Sequence, residues 1–435
     1  MQAIDTLILA GHVVPVEPHG VLERHAVAIA QGRIAAVLPE AQALARFEAA
    51  EVVRLPGHAL VPGFVNLHCH SAMALMRGFA DDMPLMSWLQ DHVWPAEGKH
   101  VDDAFVHDGS LLAMAEMLRA GVTCVNDMYF FPAATARAAL RAGMRAALGV
   151  IALEFPSAYA PDAHGYLQKG LATRDAYRGE PLLSFCLAPH APYTVGDETL
   201  KRIAVLAEEL DLPIHCHVHE TAAEVSQGSA QHGVRPLERL RRLGVVGPRL
   251  IAVHAVHLDE HELDMMAREG VSVAHCPSSN LKLASGIAPV AAMRARGIRV
   301  GIGTDGAASN NRLDVMTEMR TAALLAKGAS GDASAVPAMQ ALEMATLEPA
   351  RALGLDSRIG SIAPGKAADL AAIDLSALET LPLYDVVSHL AYAAGREHVT
   401  HVWVEGRARV ADGELVDLDP RDIADKARWW QARLA

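Results

Sequence analysis

Residues 215–221 read HCHVHET and close an apolar run that begins at Pro213. Three histidines and a glutamate share these positions. Side chains alternate along an extended strand, so His215, His217 and His219 would lie on one face. That face is either a working site or a row of packed imidazoles, and period two treats all three alike. It also sends Glu220 to the opposite face. A site that uses Glu220 together with the histidines therefore requires the strand to stop near Val218.

Other segments have the same form. Short apolar runs occur at 63–68, 122–126, 145–151 and 182–187, then at 213–218, 249–254, 271–275 and 299–304. Helix-like segments lie between them, at 103–119, 198–210, 259–269 and 311–327. Asp197 stands as an N-cap before ETLKRIAVLAEEL, whose apolar residues recur at helical spacing. This alternation predicts an α/β fold, a (β/α)8 TIM barrel, with a doubly wound open sheet as the alternative. Barrels of this kind work at the C-terminal ends of their strands. Here those ends carry His68 and His70, then His190, His217 with Glu220, His254, His275 and Asp305. A plain core has no use for ionisable groups gathered at one end of many apolar strands.

The two termini read differently from the middle. Residues 4–16, 25–38, 367–374 and 399–411 look like short strands. Gln31-Gly32, Glu405-Gly406 and Asp412-Gly413 read as hairpin turns, the last the strongest by type. Residues 1–60 and 366–435 are therefore expected to build one composite β-sandwich, and residues 61–365 the catalytic barrel. The net charge of −13 argues against nucleic-acid binding. Five widely spaced cysteines with no CxxC suit neither a disulfide framework nor a thiolate zinc site, and a reducing cytoplasm is the expected setting. The N-terminus lacks a basic region before its apolar run, and no apolar run approaches the roughly 18 residues of a membrane span, so no signal peptide or membrane partner is expected.

His68 and His70 form an HxH pair, with imidazoles about 6.6 Å apart along one face of a strand. Two nitrogens can converge on one divalent ion if the strand ends or bends there. His217 and Asp305 add a third nitrogen and a carboxylate. A catalytic ion also needs an open position, where water becomes acidic enough to ionise near neutral pH. Glu220 and His254 would then handle protons. His254 could instead be a buried strand histidine, and Asp305 a turn aspartate. Residues 182–194, LLSFCLAPHAPYT, lack the lysine that often bridges paired ions, which favours a single metal ion.

VPGFVNLHCHSAMALMRGFADDMPLMSWL (61–89), HVHET (217–221), HAVHL (254–258), AHCPSSNLKLASG (274–286), GIGTDGAASNN (301–311) and APGKAADLAAIDL (363–375) together resemble the amidohydrolase superfamily. Within it they look most like the mononuclear, chlorohydrolase-like 5′-methylthioadenosine/S-adenosylhomocysteine deaminases. The resemblance implies a barrel inside a terminal β-sandwich, and one divalent ion per subunit, zinc first, with iron or manganese as alternatives. It makes His68, His70, His217 and Asp305 the ligands, Glu220 the proton shuttle, and His254 the imidazole that polarises water. The HxxET pattern selects His217 within HCHVHET. It puts His215 one layer deeper, and leaves His219 at the rim as the second choice of ligand. Glu97 would bind ribose hydroxyls, since a carboxylate can accept from both. His190 would contact the purine, with Trp88 and Ser309 as further pocket residues. His275 and Asn280 line the same rim without an assigned role.

The implied reaction is hydrolytic deamination at C6 of an adenosine-type nucleoside. Glu220 would take a proton from water and return one to N1, while His254 and Asp305 hold the remaining proton. Residues 149–167, GVIALEFPSAYAPDAHGYL, lack the arginines with which relatives can anchor an amino-acid carboxylate. That favours 5′-methylthioadenosine over S-adenosylhomocysteine and adenosine. Guanine or cytosine deaminases and triazine-type hydrolases share the metal motif and remain alternatives, as does a non-catalytic structural relative. A homo-oligomer, dimeric or higher, is the family-level expectation.

Overall fold

The computed structural model describes residues 1–434. The N-terminal strands are β1 (Gln2–Val13), β2 (Leu22–Ala30), β3 (Arg33–Pro39) and β4 (Phe47–Pro62). The middle of the chain gives β5 (Phe64–Cys69), β6 (Val122–Asp127), β7 (Arg145–Ala152) and β8 (Leu183–Pro189). It continues with β9 (Ile214–Val218), β10 (Leu250–His254), β11 (Ser272–His275) and β12 (Arg299–Ile302). The C-terminal part adds β13 (Leu370–Asp374), β14 (Val399–Val404), β15 (Arg407–Ala411) and β16 (Glu414–Leu415).

Strands β5 to β12 pair in chain order, every pair parallel. A doubly wound sheet would reverse that order at its centre; this sheet instead curls until its last strand meets its first. The seam is made by side chains as well as backbone. Asn66 Nδ2 donates to Thr304 Oγ1 at 2.8 Å, and the Thr304 amide donates back to Asn66 Oδ1 at 3.0 Å. The Asp305 amide donates to the His68 carbonyl at 3.0 Å. Gly303 allows this approach: a Cβ there would stand 2.9 Å from His68 Cβ and 3.0 Å from Cys276 Sγ.

The terminal strands form one mixed sheet in the order β16-β15-β14-β13-β4-β1-β2-β3. It folds over itself, so Trp403 of β14 shares a core with Ile8 of β1 and Val27 of β2. All three expected hairpins are present, each with both turn residues at positive φ: 54° and 75° at Gln31-Gly32, 49° and 70° at Glu405-Gly406, 50° and 81° at Asp412-Gly413. This is the type I′ geometry that suits the twist of the flanking strands.

Three features depart from the sequence reading. β4 is a long strand between β1 and β13; its Glu48, Glu51, Arg54, Pro56 and Gly57 hide an extended run that is polar along its exposed stretch. Asp197 does not cap its helix. The cap is Gly196, and the Asp197 carboxylate pairs with Arg239 at 2.6 Å. A charge-assisted bond to a buried guanidinium outweighs a cap worth about 1 kcal/mol. The C-terminal helix Pro420–Leu434 packs on the barrel helix Asp103–Arg119, with Trp430 edge-on to Phe105 and its indole N–H on Asp108. No helix among the described residues is long and apolar enough to cross a membrane.

The two sheets are joined by a buried ion-pair network. Arg145, 2% exposed at the start of β7, donates to Asp369 Oδ2 at 3.0 Å and to Glu405 Oε1 at 3.1 Å. Asp369 also accepts from the Glu405 amide at 2.8 Å, and its carbonyl holds the Gly63 amide at the entry to β5. Asp369→Ala would leave a buried guanidinium without its main partner. The expected cost is about 3–5 kcal/mol, read as a lower midpoint in urea unfolding followed by circular dichroism.

Candidate active site

Strand ends turn sharply where the ionisable residues sit. β9 stops at Val218, and His219 takes φ 53°. His254 closes β10 at φ 69°, and Asp305 follows β12 at φ 62°. Left-handed backbone at non-glycine residues is uncommon and costs free energy, so the surrounding structure must hold it. Part of that hold is Glu224. Its Oε1 accepts the His219 amide at 2.9 Å and its Oε2 the Glu220 amide at 2.8 Å. The bend lets Glu220 join the histidines instead of pointing to the opposite face.

The four nominated ligands converge. His68 Nε2 and His70 Nε2 each lie 3.3 Å from Asp305 Oδ1, and His217 Nε2 lies 3.2 Å from His68 Nε2. In every case the other ring nitrogen is engaged. His70 Nδ1–H donates to the Met128 carbonyl at 2.5 Å, and His217 Nδ1–H to the His190 carbonyl at 2.7 Å. His68 Nδ1 meets His215 Nε2 at 2.9 Å. The Nδ1 protons therefore leave the Nε2 lone pairs facing one another and a carboxylate. Lone pairs so placed, in a buried site, fit a divalent cation and little else. His254 Nε2 can enter the same cluster, since His68, His217 and His254 offer nitrogens within 4.8 Å of one another. Its Nδ1 is held by Asn280 Oδ1 at 2.8 Å, which makes Nε2 the free acceptor.

Burial sets the protonation states. It lowers His68 to about 4 and His190 to about 3, and His217 well below its usual range, so these rings are neutral. Burial opposes ionisation of Asp305, yet the imidazoles gathered around it, His68 first, hold it well below the carboxylate range. Burial, followed by the Asp305 charge, pushes Glu220 up to about 8. A carboxyl that can carry a proton near neutral pH thus stands 3.7 Å from His254 Nε2.

Glu220, His254, Asp305, His190, Trp88 and Glu97 all line one cavity above this cluster. Ser309 is not among its lining residues; it sits behind Asp305 and donates to Oδ2 at 3.0 Å, beside Ser279 at 2.7 Å. His215 lies one layer down, under His68. His219 turns away: its Nε2 accepts the Leu237 amide at 3.1 Å and its Nδ1 faces Glu262, so it is no ligand. His275 is buried at the end of β11. Asn280, which had no role, orients His254.

Other residues escaped the sequence reading. Met128 and Tyr129 follow β6, one holding His70 and the other donating its hydroxyl to Glu97 Oε1 at 2.6 Å. Nothing in VNDMYFF marks them. Glu224 did carry a signal, because Thr221-x-x-Glu224 matches an N-terminal capping pattern, and Thr221 does accept the Glu224 amide. A second cavity adjoins the first across Trp94, Glu97, Phe130 and Phe155, walled further by Phe131 and Tyr159. Among the described residues of its wall, Glu97 is the only charged side chain.

A sequence model of the amidohydrolase family matches residues 59–409. A protein of Saccharophagus degradans named 5-methylthioadenosine/S-adenosylhomocysteine deaminase is 49% identical, the match covering 99% of this chain and 97% of that one. A 5′-deoxyadenosine deaminase of Methanothermobacter thermautotrophicus is 42% identical, over 95% of this chain and 96% of its own. Among solved structures, an adenosine deaminase from Xanthomonas campestris with bound zinc superposes with a TM-score of 0.98 at 52% identity, covering 100% of this chain and 99% of that one.

The ligand geometry predicts that elemental analysis of the purified chain finds one divalent ion per subunit. Asp305→Ala, which removes the carboxylate shared by His68 and His70, is expected to lose it. A variant that keeps the full metal content would overturn the ligand set.

Proposed function

The chain belongs to the amidohydrolase family and is a hydrolase of C–N bonds; from that premise we propose that it deaminates an adenosine-type nucleoside at C6, with 5′-methylthioadenosine as the preferred substrate. The supporting observation is that one cavity is lined both by Glu220, His254 and Asp305 and by Glu97. The first three are proton-handling groups around a cation site. The last is a carboxylate with oxygens to offer a vicinal diol, which a free-base deaminase would not need.

A divalent ion held by His68, His70, His217 and Asp305, zinc in this reading, supplies Lewis acidity that brings the pKa of water toward neutrality. The chain's own groups do the rest. Glu220 takes a proton from the attacking water and gives one to N1, which makes C6 electrophilic. His254, with its Nδ1 proton fixed on Asn280, offers Nε2 to the water. Asp305 and His254 hold the remaining proton until it passes to the departing nitrogen. A C6–O bond forms and the C6–N bond breaks, leaving a hypoxanthine ring and ammonia.

The aromatic second cavity supports the substrate choice. It offers an apolar surface to a 5′-methylthio group, and the described residues of its wall include no cation for an amino-acid carboxylate; Lys169, over the Tyr159 ring, is held on the Tyr159 carbonyl at 2.6 Å. S-Adenosylhomocysteine and adenosine are slower substrates on this reading. A homo-oligomer, dimeric or higher, and a cytoplasmic setting complete it; all five cysteines are free and buried, as a reducing compartment allows.

Glu220→Gln is expected to abolish turnover with the metal still bound, and a fully active variant would remove the shuttle from the scheme. Ammonia release should rank 5′-methylthioadenosine above S-adenosylhomocysteine and adenosine, with guanine and cytosine inert. A preference for S-adenosylhomocysteine would refute the reading of the second cavity, and turnover of guanine or cytosine alone would refute the nucleoside assignment.

A further inference from the structure

Glu97 is not carried by the barrel strands. It sits on the short helix Trp94–His100, which continues from a π-helical turn at Trp88–Val93. Irregular helix of this kind has looser hydrogen bonding than an α-helix and is used near functional sites. A carboxylate on such a segment needs an anchor if it is to meet a substrate at a fixed distance from the metal centre.

That anchor is Tyr129. Its hydroxyl donates to Glu97 Oε1 at 2.6 Å, and the ring is 4% exposed. Tyr129 belongs to a run of three residues that also fixes the metal ligand His70. Asp127 Oδ1 accepts the Ser71 amide at 2.7 Å, and the Met128 carbonyl accepts His70 Nδ1–H at 2.5 Å. Residues 127–129 thus touch the chain beside His70, then His70 itself, then Glu97. One rigid strand end sets the spacing between the metal ligands and the carboxylate.

We propose that Tyr129 is a positioning residue that ties Glu97 to the barrel, so that the carboxylate meets the 2′ and 3′ hydroxyls of a ribose already placed over the metal centre. The inference rests on the assignment of Glu97 to the ribose. A tyrosine hydroxyl gives one hydrogen bond as donor, and each carboxylate oxygen has two acceptor sites. Oε2 and one site on Oε1 stay open for the diol. Burial lifts the Glu97 carboxyl to about 7, and the Tyr129 hydrogen bond opposes that rise. The same bond therefore favours the ionised form, which has acceptors only.

The test compares 5′-methylthioadenosine with its 2′,3′-dideoxy analogue in metal-loaded wild type, Tyr129→Phe, Glu97→Gln and the double variant. A hydrogen bond to a charged group contributes about 1.5–3 kcal/mol. Tyr129→Phe should therefore lower kcat/KM for the ribonucleoside by about tenfold or more, mainly through KM. The penalty should be at least about fivefold larger than with the dideoxy analogue. In the double variant, Tyr129→Phe should add little to Glu97→Gln. Equal losses on both substrates would reduce Tyr129 to a packing residue, and no loss on either would overturn the proposal. If Glu97→Gln itself fails to separate the two substrates, the ribose assignment falls and this inference falls with it. If Glu97→Gln separates them and Tyr129→Phe does not, only the role of Tyr129 is lost.

Discussion

The constraint behind the site is that four imidazoles and a carboxylate must converge in one small volume with their lone pairs turned toward one another. A protonated ring there would repel its neighbours; a neutral ring must choose which nitrogen keeps its proton. The structure makes that choice from outside the cluster. Met128 and His190 offer carbonyls to the Nδ1 protons of His70 and His217, and Asn280 offers its amide oxygen to His254. His68 relies on His215, whose own Nδ1 is buried without a partner. An unpaired buried donor costs on the order of 1–3 kcal/mol. That cost falls one layer below the metal centre, where it does not disturb the Nε2 geometry.

The barrel must be built to tolerate this arrangement. His219, His254 and Asp305 all have left-handed backbone, and strain of this kind costs about 1–3 kcal/mol per residue. It persists because neighbours hold the bends at His219 and Asp305. Glu224 takes two amides at the end of β9. Asn66 and Thr304 clasp the seam on which Asp305 depends. At the opposite end of the barrel, Arg145, Asp369 and Glu405 join the two sheets. The terminal sheet therefore supports the strands at the end away from the site, and leaves the C-terminal ends free for chemistry.

Strand placement was legible because each barrel strand is a short apolar run, buried on both faces and ended by turn residues or a histidine. The I′ hairpins were legible because their turn chemistry is local. β4 was not, since its exposed, polar stretch hides the extended run. The misread at Asp197 has the same root: a local cap rule lost to Arg239, a partner far along the chain. In HCHVHET, the strand end at Val218 follows from the need to turn Glu220 inward, and the structure ends it there. The turning away of His219 did not follow, because it depends on helices distant in sequence. The role of Asn280, and Tyr129 altogether, were invisible for a related reason. They act through one hydrogen bond each, and single hydrogen bonds leave no periodicity.

The metal centre and the substrate cavity obey different rules, which is why one is so much easier to read than the other. Of the proposed ligands, His68 and His217 sit on barrel strands, and His70 and Asp305 sit just beyond strand ends, so the barrel fixes them to each other. The cavity walls beyond the cluster are built by segments outside the barrel strands, such as the helix bearing Trp94 and Glu97 and the loop bearing Phe155 and Tyr159, and on the proposed reading these set selectivity for the part of a nucleoside beyond its base. On the proposed reading, the balance there is between two unequal terms. Burying a methyl group against aromatic rings gains about 0.8 kcal/mol. Moving an unpaired carboxylate into the same space costs several kcal/mol, and the Glu97 charge adds to that cost. The second term is the larger, so discrimination at the 5′ position comes mainly from what the second cavity withholds. A single arginine introduced on its wall would shift the balance further than any enlargement of the apolar surface.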